Sequence, residues 1–367
     1  MLRNILSGDM PRSVVLGVAL VVIVLALALT PFLFPGARSL NVAVKICIFI
    51  AVVASYDLLL GYTGIVSFAH TMFFGIGGYG VAIALNGLGP AWGGIALGLA
   101  VALGLSTALA ALIGLFSLRV RAIFFAMITL AVASAFAILA SQLSSITGGE
   151  DGLNYPVPAM LRPSFHLFDG TVLGLDINGR IITYYIVFFV ALALFLLLLR
   201  MVNSPFGRVL QAIRENSFRA EALGYRTVYY RTAANCLSAV VATVGGALLA
   251  LWLRHTGPDT TLSFDIMLDI LLMLVIGGMG TMYGAVVGAT VFLIAQNYLQ
   301  DAMAAASKAT AGIPVLSHLL HPDRWLLWLG VLFILSIYFF PTGIVGRLRA
   351  MQVPKPQNRP EASTRAK

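Results

Sequence analysis

The sequence predicts an all-α fold, a polytopic transmembrane bundle of about ten helices, and three observations lead to it. Hydrophobic residues make up 60% of the 367 residues and charged residues only 10%, whereas a soluble domain carries about 25% charged residues. Uncharged runs of bilayer length recur along the chain. Basic residues cluster on alternate connections between these runs. Lipid must therefore replace water over most of the exterior.

Ten hydrophobic runs are each close to the ~20 residues that cross a bilayer, although the eighth and ninth are short. The runs are 14–34, 41–60, 65–86, 92–117, 122–142, 181–200, 232–252, 265–279, 283–299 and 324–342. The first follows Arg3 and Arg12 and is longer than the apolar part of a signal peptide, so we interpret it as a retained helix. An eight-span arrangement with two re-entrant segments stays open, because it preserves the same sidedness.

The basic residues assign sidedness, since an even number of spans puts both termini on one side. The N-terminal stub, Arg119 with Arg121, the segment 200–231 and the tail from Arg347 hold 16 of the 23 Lys and Arg residues. The positive-inside rule makes that side the cytoplasm. The predicted organisation is a membrane domain at 1–346, an external loop within it at 143–180, and a disordered basic cytoplasmic tail at 347–367.

The same residues argue against several classes of function. The net charge of +9 comes from the flanks of the runs rather than from one folded face, which disfavours nucleic-acid binding. Cys47 and Cys236 lie in apolar runs, and no His/Cys cluster has metal-ligand spacing. Ser67 and His70 are three residues apart but lack an orienting acid. The chain is therefore predicted to have no catalytic or metal site.

The cytoplasmic connection at 203–226 is predicted to contain one capped amphipathic helix over 205–223. Ser204 suits the N-cap, Pro205 the first turn and Gly224 the C-terminal stop. The polar face carries Arg208, Gln211, Glu215 and Arg219, with Glu215 and Arg219 as an i,i+4 pair, and the apolar face carries Phe206, Leu210 and Ile213. Such a helix either lies on lipid or docks in a groove of another protein.

Two glycine-rich stretches fall inside the hydrophobic runs. Segment 61–80 contains six glycines mixed with hydroxyl and imidazole side chains. Because glycine weakens helix interiors, this segment suggests a broken or re-entrant helix beside a solute pathway, with a merely packed helix as the alternative. Gly280, Gly284 and Gly288 recur every four residues and predict a helical face for close packing.

Polar residues within the runs are candidates for lining a pathway. Asp57 lies near the cytoplasmic end of its run, where its carboxylate either reaches water or faces the pathway. His70 is either a buried imidazole bonded to a neighbouring helix or a pathway group. Asp265 and Asp269 share one face and either pair with Arg254 or attract the ammonium group of a solute. The predicted pathway residues are Asp57, Gly61, Gly64, Ser67, His70, Phe74 and Asp269.

Three ordered motifs resemble one family of membrane transporters. They are Gly61-Tyr62-Thr63-Gly64 through Ser67-Phe68-Ala69-His70 to Gly77, then Gly207-Arg208 through Ala212-Ile213-Arg214-Glu215 to Ala220-Glu221-Ala222-Leu223-Gly224, then Leu272-Met273 through Gly277-Gly278-Met279-Gly280 to Gly288. Over about residues 40–300 the chain is similar to the branched-chain amino acid permease family of ABC importers, and to the M-type subunit of the leucine–isoleucine–valine uptake system. Asp57 and Ala69 depart from the commoner Asn and Gly, which leaves substrate identity open.

The resemblance implies a heteromeric importer in the cytoplasmic (inner) membrane. A second permease subunit would complete the pathway, two cytoplasmic ABC ATPases would bind the coupling loops, and a periplasmic or lipid-anchored binding protein would deliver the solute. The implied coupling residues are Gly207, Arg208, Ala212, Arg214, Glu215, Ala220, Glu221, Ala222 and Gly224. The chain lacks a Gly-rich phosphate loop ending in Lys-Ser/Thr, so ATP is expected on the partners and no cofactor on this chain.

The predicted function is transport of branched-chain amino acids or similar small polar solutes, with urea and short amides still open. The alternative is a secondary transporter driven by an ion gradient, with Asp57, Asp269 or His70 as its ion site. An intramembrane enzyme has the weakest support, since no cluster of reactive residues is present.

Overall fold

The computed structural model describes residues 14–34, 36–117, 122–166, 178–309 and 321–350. These residues are almost entirely helical and include one small two-stranded sheet. Ten helical segments among them are long and apolar enough to cross a membrane. The predicted all-α bundle of about ten spans is therefore confirmed.

The helices are numbered here in chain order. They are α1 Val14–Leu33, α2 Ala37–Thr63, α3 His70–Leu88, α4 Trp92–Ser117, α5 Ala122–Gln142, α6 Ser144–Thr147, α7 Gly179–Val202, α8 Pro205–Glu215, α9 Ser217–Ala222, α10 Thr227–Leu253, α11 Pro258–Thr261, α12 Phe264–Gly277, α13 Met282–Ala309, α14 Trp325–Phe339 and α15 Gly343–Ala350. Strands β1 Leu153–Asn154 and β2 His255–Thr256 pair antiparallel. Short 3-10 turns cover Gly149–Asp151, Ala159–Leu161 and Pro322–Arg324.

Most predicted spans agree with these helices to within a few residues, and the differences have local causes. Helix α3 begins at His70 rather than 65, because the chain between Gly64 and Ala69 is not helical. Helix α13 is 28 residues long, although its sequence run looked short. Arg119 and Arg121 lie outside the described residues, as do the N-terminal arginines, part of the 143–180 loop and most of the 347–367 tail.

Helices α2 and α10 form the centre of the bundle. Helix α10 packs against α2, α3 and α4, while α12 and α13 pack against each other and against α2. Helices α1, α5 and α14 expose most of their apolar side chains. Because the bilayer is as apolar as these side chains, the outer helices need no polar face.

Glycines set the closest helix contacts. A Cβ atom on Gly77 of α3 would lie 1.8 Å from the carbonyl oxygen of Thr243, and one on Gly246 of α10 would lie 1.8 Å from that of Phe74. The backbones of α3 and α10 therefore approach at a distance that only glycine allows. Gly288 does the same for the α12–α13 pair, where its Cβ would lie 1.9 Å from the Met273 carbonyl oxygen.

Candidate functional site

Helix α10 separates two ends of the bundle that carry the candidate functional residues. The coupling end is named here after the role expected of it, and it comprises residues 203–226, the end of α2 and the α12–α13 turn. The external cap is named after the side on which the positive-inside rule would place it, and it comprises the described residues 143–166 together with 254–263. Helix α10 runs from the first to the second, since it begins at Thr227 and ends at Leu253.

The 203–226 connection forms two short helices, so the expectation of one helix over 205–223 is wrong. Helix α8 ends at Glu215, and Asn216 leaves the helical conformation with φ −157°. The Asn216 side chain then caps α9 by accepting a hydrogen bond from the Arg219 N–H at 2.9 Å. Asparagine competes for backbone groups in this way, which explains the break. Glu215 and Arg219 consequently form no ion pair, because no single helix joins them.

The ends of the two helices follow the sequence more closely. Pro205 occupies the first turn of α8, and Gly224 follows α9 with φ +90°. Ser204 stands at the N-cap, but its hydroxyl donates to the Met201 carbonyl oxygen at 2.6 Å instead of capping α8. Leu210 and Ile213 are buried as expected for the apolar face. Helix α8 thus packs its apolar face against the bundle.

Arg214 connects α8 to the end of α2. Its guanidinium donates a hydrogen bond to the carbonyl oxygen of Gly61, two residues before the last residue of α2. A Cβ atom on Gly61 would lie 2.4 Å from the Gly280 nitrogen, so these two backbones touch. Arg214, Gly61 and Gly280 therefore meet at one point, although the sequence separates them widely.

Asp57 of α2 holds the α12–α13 turn at the contact between Arg214, Gly61 and Gly280. Its side chain is 0% exposed, and Oδ1 accepts a hydrogen bond from the Gly280 N–H at 2.7 Å. The expectation that this carboxylate reaches water is wrong, because the turn after α12 covers it. Gly280 is also not on the helical face of Gly284 and Gly288. It precedes α13 with φ +78°, a conformation that suits glycine in a tight turn.

The glycine-rich segment 61–80 contains the predicted break in regular structure. Helix α2 ends at Thr63, Gly64 adopts φ +72°, and α3 begins at His70. His70 nevertheless lies beside Ser55, eight residues before the end of α2, or about 12 Å back along that helix. Residues 64–69 therefore run back into the bundle without helical bonds. The Phe68 N–H donates instead to the Thr129 hydroxyl of α5 at 3.0 Å.

His70 is a buried cross-link between three helices. Its Nε2 lies 3.2 Å from Ser55 Oγ on α2 and 3.0 Å from Ser238 Oγ on α10. Both hydroxyl protons are already donated to backbone carbonyl oxygens. Nε2 must therefore carry a proton and donate it toward these hydroxyl oxygens. The edge of the ring also contacts Tyr56, with centroids 4.9 Å apart.

Asp269 lies away from this group. Its Oδ2 accepts a hydrogen bond from Gln296 of α13 at 3.1 Å. The expected pairing of Asp265 or Asp269 with Arg254 is wrong, because Arg254 donates to the Leu161 carbonyl oxygen in the external cap. Asp269 instead lines a cavity between α12, α13 and α14.

The structure thus brings together only some of the predicted site residues. Asp57 and Gly61 join Arg214 at the coupling end, and His70 with Phe74 packs inside the bundle. Ser67 is buried in the irregular segment, and Asp269 faces another side. Sequence reasoning missed the exposed apolar side chains of α9 and its end, Phe218 at 85% and Leu223 at 73% exposed. Their position as large apolar residues within a polar segment could have predicted that they are exposed.

Comparisons with known proteins agree on one family. A family model described as branched-chain amino acid transport system, permease component, matches residues 38–337. The high-affinity branched-chain amino acid transport system permease protein LivM of Salmonella typhimurium is 25% identical over 334 residues, which cover 87% of this chain and 76% of that protein. The protein of the same name from Escherichia coli is 24% identical over 332 residues, with the same coverage.

No solved structure matches the chain significantly. The family model, however, covers most of the chain from α2 to α14. The chain therefore belongs to the family of permease components of branched-chain amino acid transport systems, as a multi-pass inner-membrane subunit of an ABC importer.

Proposed function

We propose that this subunit carries branched-chain amino acids or similar small polar solutes across the membrane, and that partner ATPases drive it through α8 and α9. The observation that carries the proposal is the meeting of α8, α2 and the α12–α13 turn at Arg214, Gly61 and Gly280. A displacement of α8 reaches the ends of three membrane helices there without an intervening flexible loop.

The contacts suit a rigid transmission of movement. The Asp57 carboxylate holds the Gly280 N–H, and the Arg214 guanidinium holds the Gly61 carbonyl oxygen four residues later on the same helix. Hydrogen bonds that involve charged groups contribute about 1.5–3 kcal/mol each. Two-state movements of packed helices pass through such contiguous contacts. We therefore assign Arg214 an internal role, where the family resemblance had implied a docking role.

The surface of α9 suits a protein partner. Phe218 and Leu223 project outward beside the exposed Arg219 and Glu221. Apolar anchors with charges around them are typical of a helix that inserts into a groove. Glu221 also accepts a hydrogen bond from the Thr227 hydroxyl at 2.6 Å, which ties α9 to the start of α10. The groove is expected on a cytoplasmic ATPase, which would bind ATP in place of this chain.

The places of the solute-binding protein and the second permease subunit depend on which end of the bundle faces the cytoplasm. The basic coupling end is assigned to the cytoplasm by the positive-inside rule, which leaves the cap outside. A periplasmic or lipid-anchored binding protein would deliver solute at the cap, and a second permease subunit would complete the pathway. Two of the three candidate ion sites of the ion-gradient alternative, Asp57 and His70, are fully buried and bonded to neighbouring helices, which disfavours it.

The experiment compares Arg214→Ala with Arg208→Ala in the complete importer reconstituted in proteoliposomes. Both arginines are exposed on α8, but the Arg208 side chain makes no hydrogen bond to any described residue, whereas the Arg214 guanidinium donates to Gly61. Arg214→Ala is expected to lower solute uptake per ATP hydrolysed about tenfold, since it removes a charged hydrogen bond at the junction. Arg208→Ala should keep most of the uptake, and Arg214→Lys should be intermediate.

Two outcomes would contradict the proposal. Equal coupling in Arg214→Ala and Arg208→Ala would remove the transmission role of the junction. Uptake that collapses with a protonophore while internal ATP stays high would indicate an ion-driven transporter instead.

A further inference from the structure

A cleft of about 520 Å³ opens at the external cap between α3, α5 and the α11–α12 connection. This volume lies within the range of about 300–1,000 Å³ that small-molecule sites occupy. Glu150 and Asp259 stand at the cap side of the cleft. Phe68, on the irregular segment 64–69, meets Phe264 on the wall of the cleft, where the ring centroids are 6.1 Å apart. The cleft therefore leads from the cap to the break in regular structure.

The charges of the cleft have one sign. Glu150 and Asp259 are exposed carboxylates, and no Lys, Arg or His is among the described residues that line it. A cavity with low-dielectric walls and one sign of charge concentrates solutes of the opposite sign. The cleft thus favours a solute with an ammonium group over a solute that carries only a carboxylate.

Thr71 supplies an uncommitted hydrogen-bonding group on the cleft wall. Its side chain is 2% exposed, lines the cleft and makes no hydrogen bond to any described residue. Most helical threonines of this chain donate to the carbonyl oxygen four residues earlier, but Thr71 is in the first turn of α3 and the chain before it is not helical. The Thr71 hydroxyl faces the cleft without a partner in the described chain, so it is free to donate a hydrogen bond to a solute there.

The position of Thr71 adds a second preference. The N-terminal turn of a helix carries a partial positive charge that suits an anionic group. Helix α3 is 19 residues long, and Thr71 is its second residue. The walls next to Thr71 are apolar, with Leu130 and Leu262 beside Phe68. The part of the cleft around Thr71 therefore suits an aliphatic solute with a carboxylate.

We propose that this cleft is a binding vestibule of the permease for a zwitterionic aliphatic amino acid. Glu150 and Asp259 attract the ammonium group, Thr71 donates to the carboxylate, and Phe68 with Leu262 contacts the aliphatic side chain. The inference rests on the proposed function for the side from which solute arrives. It separates amino acids from urea and short amides, which lack the ammonium group.

The test measures protection of a single cysteine in the complete importer in nanodiscs. Ser134→Cys places a thiol in the cleft, in a background that carries Cys47→Ala and Cys236→Ala. L-Leucine and 3-methylbutylamine are expected to slow its reaction with a maleimide, whereas 4-methylpentanoate and urea should leave the rate unchanged. These four probes vary the ammonium and the carboxylate separately.

Further variants assign the two groups. The double variant Glu150→Gln, Asp259→Asn is expected to raise the half-protecting leucine concentration about tenfold, since it removes two exposed charge attractions. Asp151→Asn is the matched control, because Asp151 neighbours Glu150 but does not line the cleft. Thr71→Val should raise the value for leucine and not the value for 3-methylbutylamine.

Three results would overturn the vestibule. ATP-dependent uptake of leucine without protection of the thiol would leave the proposed function standing and show that the cleft is not its site. Equal protection by urea and leucine would remove the ammonium preference. A thiol that reacts in the isolated chain and not in the assembled importer would show that the second permease subunit covers the cleft. Absence of ATP-dependent uptake of any amino acid would instead count against the proposed function.

Discussion

The two ends of the bundle are held together in different ways. At the coupling end, hydrogen bonds join elements that are far apart in the sequence, with Arg214 bonded to Gly61 and Gly280 bonded to Asp57. At the external cap, the bonds fasten loops to one helix. The Tyr155 hydroxyl donates to the Ala250 carbonyl oxygen at 2.7 Å, and β1 pairs with β2 directly after α10.

This difference fits the proposed roles of the two ends, with transmission of movement at the coupling end and entry of solute at the cap. Three membrane helices converge at the coupling end, so a displacement there is shared among them. The cap secures α10, and the cleft lies beside it between α5 and the α11–α12 connection. In proteins that bind ligands, the segments that move around the site are usually the less stable ones. The proposed communication between the ends would run through α10 and the helices that pack on it.

The largest effect is expected where that communication depends on close packing. Gly246→Ala places a Cβ atom 1.8 Å from the Phe74 carbonyl oxygen, so α3 and α10 must separate. Overpacking of this kind costs about 3 kcal/mol. Gly104→Ala is the control, since nothing lies within 4 Å of a Cβ there. Thermal denaturation followed by size-exclusion chromatography should show strong destabilisation for Gly246→Ala only, and equal melting of both variants would contradict the packing.

The next largest effect distinguishes the exposed apolar surface of α9 from that of the cap. Phe218→Ser removes the most exposed apolar side chain of α9, and we expect it to weaken the association of the ATPase with the permease about 30-fold, as for a central interface anchor. Met160→Ser makes the same change at the cap, where the side chain is 46% exposed. Co-purification at graded detergent concentrations measures both. Loss of the ATPase in Met160→Ser, or its full retention in Phe218→Ser, would contradict docking of the ATPase at α9.

A smaller effect tests whether Asp57 acts through geometry or through charge. Asp57→Asn keeps an oxygen that accepts the Gly280 N–H, whereas Asp57→Ala removes it and leaves a buried donor unpaired at a cost of about 1–3 kcal/mol. Uptake should therefore fall in Asp57→Ala and survive in Asp57→Asn. An ion-binding carboxylate would fail in both variants, so inactive but stable Asp57→Asn protein would revive the ion-driven alternative.

The sequence predicted the spans well because hydrophobic run length is a local property. Even the break near Gly64 was visible, since six glycines in 61–80 weaken a helix wherever they fall. The helix over 205–223 was predicted too long. The Asn216 side chain accepts a hydrogen bond from the Arg219 N–H and so interrupts the helix, and hydrophobic periodicity does not reveal such a side-chain hydrogen bond.

The junction at the coupling end was beyond reach of local patterns. Arg214 and Gly61 are 153 residues apart, and Asp57 and Gly280 are 223 residues apart. Gly280 fits the four-residue spacing of Gly284 and Gly288, so the sequence assigned it to their face. Only the tertiary fold shows that it belongs to a turn and donates its N–H to a carboxylate on another helix.

The smallest effect concerns the cap alone. Tyr155→Phe removes the hydrogen bonds to Ala250 and Thr256, at a cost of about 1 kcal/mol in the free energy of unfolding. Tyr229→Phe is the control, since Tyr229 is 59% exposed at the opposite end. Burial raises the pKa of the Tyr155 phenol above its usual value. A group whose pKa is raised in the folded state contributes its full stabilisation below its unfolded pKa, which is near 10 for tyrosine. That contribution is lost as the pH rises above this value toward the folded pKa. The advantage of wild type over Tyr155→Phe should therefore shrink above about pH 10, and an advantage that grows there would contradict the buried neutral phenol.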